Sequence, residues 1–226
     1  VIDQIDGVEG LNGWYTSESV TVWLYAKDLP EQTGSGVESV YYQLNNGNTM
    51  EYDEVSGIHL SVSQTDQWTN EWTLRFWSVD RSGNVEDKSR PENRAFIKID
   101  ADRPFISIVS PSDEEEVEVP FLVKVNASDN VGVTKVAFDI EPFGEREGLP
   151  FIDDEPPFEW YCDVEQGGGQ YSDVFQVGVN VMVRARAYDE AGQTWTHEVW
   201  VHITNWEDSD GYNNGFGILA GFGHQS

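Results

Sequence analysis

Aspartates set beside glycine or asparagine recur along this chain in a pattern that suits a hard cation. Asp100 and Asp102 flank Ala101, Asp129 is followed by Asn130, and Asp189 opens the run Asp189-Glu190-Ala191-Gly192-Gln193. A weaker, earlier set holds Asp28 and Asp80, with Asp3 or Asp6, and Asp80 opens the similar run Asp80-Arg81-Ser82-Gly83-Asn84. Carboxylate and amide oxygens offered by separate segments are what Ca²⁺ takes, about 6 to 8 at a time and in irregular geometry. The same residues also have a purely structural use. Asp accepts hydrogen bonds from backbone N–H groups two residues on and Gly supplies a positive φ, so each run is equally a stable turn. Both readings stand at the level of sequence.

Catalytic chemistry finds less support. His59, His197, His202 and His224 are scattered, and no HExxH, GxSxG or phosphate-binding Walker pattern occurs. Residues 215–220, GFGILA, satisfy GxGxxA in form only, because they do not open a helix after a strand of a βαβ unit. Asp153 and Glu159 have a spacing compatible with a general acid/base pair, yet among 41 acidic residues such pairs arise by chance. The run Trp206–Gly211 resembles a calcium loop poorly, with Trp206 at the first ligand position and Gly217 at the twelfth. A non-enzymatic protein is expected.

The charge narrows the partners. Forty-one Asp and Glu against 13 Lys and Arg leave −28 over 226 residues, so a phosphate backbone or anionic membrane surface repels this chain. Nucleic acid is excluded as an expected partner, and no apolar run approaches the roughly 20 residues of a membrane helix. The single cysteine, Cys162, rules out an internal disulfide and any CxxC zinc spacing. The chain opens at Val1 without Met, basic segment or apolar segment. That is expected of a processed secreted protein or of a piece of a longer one.

The elements that would carry the aspartates are strands. Residues 19–28, SVTVWLYAKD, alternate Val20, Val22, Leu24 and Ala26 on one face with Thr21, Trp23, Tyr25 and Lys27 on the other. Period two returns in VESVYYQL, EWTLRFWSVD, AFIKID, FISIV, FLVKVNASD, TKVAFDI, VNVMVRARAYD and EVWVHIT, and no segment keeps a 3.6-residue apolar repeat. The outline also repeats. Trp72, Leu74, Phe76 and Ser78 align with Val181, Val183, Ala185 and Ala187, which puts Arg75 on Arg184, Asp80 on Asp189 and Gly83 on Gly192. Between the halves, residues 98–104, KIDADRP, read as a short linker. The division predicted is domain 1 at 1–100, domain 2 at 101–205 with an acidic insertion at 141–171, and a Gly/Asn-rich tail at 206–226 that serves as a linker, an added strand or the start of an anchor. Each half has the size and strand pattern of an immunoglobulin-like sandwich.

The stretches NGWYTSESVTVWLYAKD, SGVESVYYQLNNG and FWSVDRSGNVE resemble the Ig-like, fibronectin III-like repeats of secreted bacterial and archaeal surface proteins. The second half, through PFISIVSPSDEEEVEVPFLVKVNASDNVGVTKVAFDI, PPFEWYCDV and VRARAYDEAGQ, resembles another such module. Together they span nearly residues 11–204. The resemblance implies an all-β fold of two tandem Ig-like domains, a cell-surface or extracellular setting, and a role as spacer, adhesin, self-assembling subunit or sugar-binding appendage of a hydrolase. In such a sandwich the chain entry and two of the turns share one end, so Asp100, Asp102, Asp129, Asn130 and Asp189 are expected to gather at the junction, and Asp28 with Asp80 at the first domain's equivalent end.

Aromatics supply the remaining expectation. Trp23, Tyr25, Trp77, Tyr188 and Trp200 fall on the register opposite the presumed core, where they would stack on polysaccharide, bury against other copies or other surface proteins, or pair across strands. Asn126-Ala127-Ser128 is a glycosylation sequon on an outward register.

Overall fold

A computed structural model describes residues 1–28, 34–141, 150–162 and 177–206. By compactness the chain forms two units. The first is Val1–Arg103 with two short pieces, Asn130–Gly132 and Asp189–Gln193; the second is Pro104–Asp129, Val133–Tyr188 and the residues from Thr194 onward. The break therefore falls after Arg103, close to the linker read from KIDADRP.

The first unit contains β1 (Ile2–Asp6), β2 (Trp14–Tyr15), β3 (Ser19–Leu24), β4 (Val37–Leu44), β5 (Met50–Glu51), β6 (Ile58–Ser61), β7 (Thr69–Asp80) and β8 (Arg94–Asp100). They form a three-stranded sheet, β1-β3-β6, and a five-stranded sheet, β2-β8-β7-β4-β5. The second unit contains β9 (Phe105–Ser110), β10 (Glu115–Val119), β11 (Phe121–Ser128), β12 (Val133–Glu141), β13 (Phe151–Asp153), β14 (Glu159–Cys162), β15 (Asn180–Asp189) and β16 (Thr194–Trp206). Its sheets are β14-β11-β9 and β10-β16-β15-β12-β13. Adding eight to each strand number of the first unit reproduces the second. Even the parallel pairings repeat, since β2 runs parallel to β8 and β10 parallel to β16, whereas β7 with β8 and β15 with β16 are antiparallel.

Alternation explains why these segments are strands. In β3 every second residue is buried, Val20, Val22 and Leu24, and β15 buries Val181, Val183, Ala185 and Ala187 in the same rhythm. Each sandwich closes over its own core. The first gathers Val20, Val22, Ile58, Leu74, Ile97 and Ile99; the second gathers Val123, Val136, Phe138, Trp160, Val183 and Ile203. Burying one such aliphatic or aromatic side chain contributes roughly 1.5–3 kcal/mol, so the interleaved faces hold each sandwich together without a disulfide. Cys162 is buried on β14 as a small apolar residue.

Contrary to expectation, the stretch read as an acidic insertion is partly scaffold. Within it, Phe151–Asp153 and Glu159–Cys162 are strands that pair with β12 and β11. They are 3 and 4 residues long and flanked by acids and prolines, too short for a period of two to show. Residues 142–149 and 163–171 of that stretch, and the tail from 207, lie outside the described residues.

Candidate functional site

The repeated acid-glycine runs are the turns that join β7 to the following loop and β15 to β16. In the first, Asp80 N–H donates to Asn84 O at 3.0 Å and Gly83 N–H donates to Asp80 O at 3.0 Å; in the second, Asp189 N–H donates to Gln193 O at 3.2 Å and Gly192 N–H donates to Asp189 O at 3.3 Å. Gly83 and Gly192 have φ of 85° and 88°, which L side chains adopt only with strain. In both, the leading Asp Oδ1 accepts the N–H four residues on, at 2.8 Å. The turn reading is thus realised at both places.

The two turns differ in their surroundings. Asp80 is partly exposed. Asn84 holds its carboxyl below the usual carboxylate range, by a side-chain hydrogen bond first and a backbone bond second. Asn84→Ala is expected to move the Asp80 titration up toward its ordinary value near 3.9, read by NMR of the carboxyl carbon. The sign follows from the depressed folded pKa. The contribution of this turn is present above the unfolded value and is lost as pH falls through the folded one.

Asp189, by contrast, is 3% exposed, and Asp100 at the end of β8 is fully buried. Both belong to the first unit, as does Asn130, the residue that follows Asp129. Within the first unit, one carboxylate oxygen of Asp100 and one of Asp189 lie within 4.8 Å of each other. Oxygens sharing one Ca²⁺ at about 2.4 Å stand no more than about 5 Å apart, so the spacing fits that ion. Hydrogen bonds aim the surrounding groups. Asp100 Oδ1 accepts from Thr69 Oγ1 at 3.0 Å, and Thr69 Oγ1 in turn accepts from Asn130 Nδ2 at 2.5 Å. Asn130 also donates to Gln67 O at 2.6 Å, and Gln193 Nε2 donates to the carbonyls of Asp100, at 2.9 Å, and Asp102.

The other two expected ligands of the first unit make contacts of their own. Asp102 is not in the carboxylate group; its Oδ1 accepts from Arg103 N–H at 3.0 Å, because a side chain this short closes its own local turn. Asn130 works through its amide N–H as a donor that positions Thr69. Sequence reasoning misses Thr69 and Gln193. For Gln193 a signal exists, since it stands where Asn84 stands in the repeat.

Asp28 and Asp80 line one cleft of the first unit, together with Glu86. Asp28 Oδ2 accepts from Gly36 N–H at 2.8 Å. Among the described residues, no third His, Cys or acidic side chain joins these two in a metal-sized group. Asp6, offered with that set, accepts from Trp23 Nε1 at 2.8 Å instead.

The aromatics divide. Tyr25 and Trp200 are half exposed, at 54% and 51%. Trp77 contradicts the expectation of an open face: it is 3% exposed, stacked on Tyr41 across the strand pair with centroids 6.2 Å apart and covered by Lys88 Nζ at 3.9 Å. Register places it outside, but the loop after β7 folds over it. Trp23 and Tyr188 are partly buried, Tyr188 under Lys135 Nζ at 4.7 Å. Asn126 is exposed on the outer face of β11.

Histidine is used for structure. His197 Nδ1 accepts from Ile108 N–H at 3.3 Å, and His202 Nδ1 shares a hydrogen bond with Asn180 Oδ1 at 2.7 Å. On the outer face of β15, Arg184 reaches Glu198 at 2.7 Å, Glu141 at 3.1 Å and Asp139 at 3.6 Å. Burial pushes the Asp139 carboxyl above its ordinary range, against the pull of Arg184.

A family model described as Bacterial Ig domain matches residues 104–172. No curated protein matches the chain. Among solved structures, it is similar to the fibronectin(III)-like modules of Clostridium thermocellum CbhA, with 13% identity, 90% of this chain and 93% of that one covered, and a TM-score of 0.41. It is also similar to PcdhgB3 EC1-4, at 10% identity over 74% of this chain and 41% of that one with a TM-score of 0.27. The third, the Protocadherin GammaB4 extracellular domain, is 13% identical over 91% and 32% with a TM-score of 0.28. The chain spans less than half the length of either of these two.

Proposed function

Starting from two tandem Ig-like sandwiches, we propose that this chain is a non-catalytic, extracellular subunit of a prokaryotic cell surface that serves a structural, adhesive or self-assembling role. The observation that carries the reading is the doubling of one eight-strand plan within a single chain, the pattern of a protein that gains reach by repeating a module. The acidic composition, which keeps such a surface soluble and repels nucleic acid, supports it. Protease treatment of intact source cells should release peptides of this chain; their retention until lysis would overturn the placement outside the cell.

Calcium belongs to the same proposal. Asp100 and Asp189 would supply two carboxylate oxygens, with water or carbonyls completing the shell. Two carboxylates this close repel one another, and a shared divalent cation relieves that repulsion where both are shut away from water.

Trp200 favours a second reading, a sugar-binding accessory module. It borders a pocket of about 250 Å³ with Asp113, Glu114, Asn180 and His202, an aromatic platform rimmed by hydrogen-bonding groups. Under that reading Trp200→Ala abolishes retention of the chain on insoluble polysaccharide while its melting temperature stays put. Equal retention of both proteins would remove it.

A further inference from the structure

The first unit carries a cationic cleft in an otherwise acidic protein. Arg75, Lys88, Arg90 and Arg94 line a depression of about 480 Å³ beside Phe96. That is four of the chain's 13 basic residues in one place, against a net charge of −28. Among the described residues, Arg75, Lys88 and Arg94 form no ion pair, while Arg90 has Glu92 at 3.6 Å, both of them largely exposed, and also acts on the Asp87 carboxyl. Instead the cations lie on aromatic rings: Lys88 on Trp77 at 3.9 Å and Arg94 on Phe96 at 4.4 Å.

The strand register sharpens the point. Arg75 on β7 is the direct antiparallel partner of Arg94 on β8. Like charges opposite each other destabilise a sheet, and Phe96 beside them is 66% exposed. A chain with acid to spare keeps two arginines face to face, beside a largely exposed ring, and neither of them is ion-paired among the described residues. An anionic occupant offsets that cost.

The second unit carries the complement. Residues 1–103 hold 18 acids and 8 bases, whereas residues 104–226 hold 23 acids and 5 bases. Within the latter, Asp113, Glu114, Glu115, Glu116 and Glu118 are all exposed along and just before β10. This strand is the edge of its sheet, bonded to β16 on one side only. Charged edges refuse to pair with one another, so any contact through β10 must bring cations to it.

We propose that the Arg75–Arg94 cleft of one copy receives the acidic β10 edge of a second copy. The inference rests on the self-assembling form of the reading above and names its contact. Two different surfaces meet, so the contact is head-to-tail, and it propagates into chains or rings rather than stopping at a symmetric dimer.

The test is sedimentation velocity of the full chain over a wide range of protein concentration, in about 0.15 M salt. There a screening length of about 8 Å mutes the net repulsion but leaves contact pairs intact. Wild type should grow in mass with concentration. Arg75→Glu/Arg94→Glu and Glu116→Lys/Glu118→Lys, each checked for an unchanged melting curve, should each associate at least about tenfold more weakly, and an equimolar mixture of the two should recover pairs. If wild type associates and both variants associate equally well, the cleft is not the contact and the assembly reading survives. If wild type stays monomeric throughout, the second-copy assignment falls; retention on polygalacturonate that Arg75→Glu/Arg94→Glu abolishes would then give the cleft to an acidic glycan.

Discussion

Millimolar Ca²⁺ is expected to raise the melting temperature of this chain, and EGTA to lower it again. An ion that binds only the folded state at a hundred times its dissociation constant contributes about 2.7 kcal/mol. For a domain of about 100 residues that is a shift on the order of 10 °C. The decisive variant is Asp189→Asn, which keeps the shape and removes one of the two charges that Asp100 and Asp189 place within 4.8 Å of each other. It should shrink the calcium shift by more than half, yet melt no lower than wild type in EGTA, because it also relieves repulsion among the carboxylates. A variant that loses the same stability with and without calcium would show Asp189 to be a turn residue and nothing more. No shift of the wild type in millimolar calcium would remove the ion from the account.

The second large effect is Trp160→Ala. Trp160 is 5% exposed on β14, with the Phe138 ring 6.0 Å and the Phe151 ring 6.3 Å away. Deleting it leaves a cavity among rings that strands on both sides hold in place, and such truncations cost about 3–5 kcal/mol. That is a large share of the roughly 5–15 kcal/mol by which a domain is stable. Because the two cores share no residue, calorimetry should show one transition lowered and the other unmoved. Both transitions falling together would mean that the units do not unfold independently.

Much of the fold is legible in the amino-acid sequence. Alternation in SVTVWL and VMVRARAYD marks strands because burial on one face is a local property, written every second residue. The paired runs from Asp80 and Asp189 mark turns because their hydrogen bonds close within five residues. The matching of the two halves follows from these. Where the sequence misleads, the cause lies either in brevity or at a distance. β13 and β14 have too few residues to show a period, and Asp102 prefers its own turn to the carboxylate group. Trp77 sits on the outer register, as its position in β7 requires, and is buried by Lys88 eleven residues further along.

Composition and near neighbours along the chain are enough to set the all-β class, the doubled plan, the acid excess and the two turns. Packing in three dimensions settles that Asp100 approaches Asp189, which aromatics stay exposed, and that Arg75 stands opposite Arg94. Those outcomes depend on strand register and on how loops lie across sheets, and both are settled by the packing of a whole face of residues far apart in sequence.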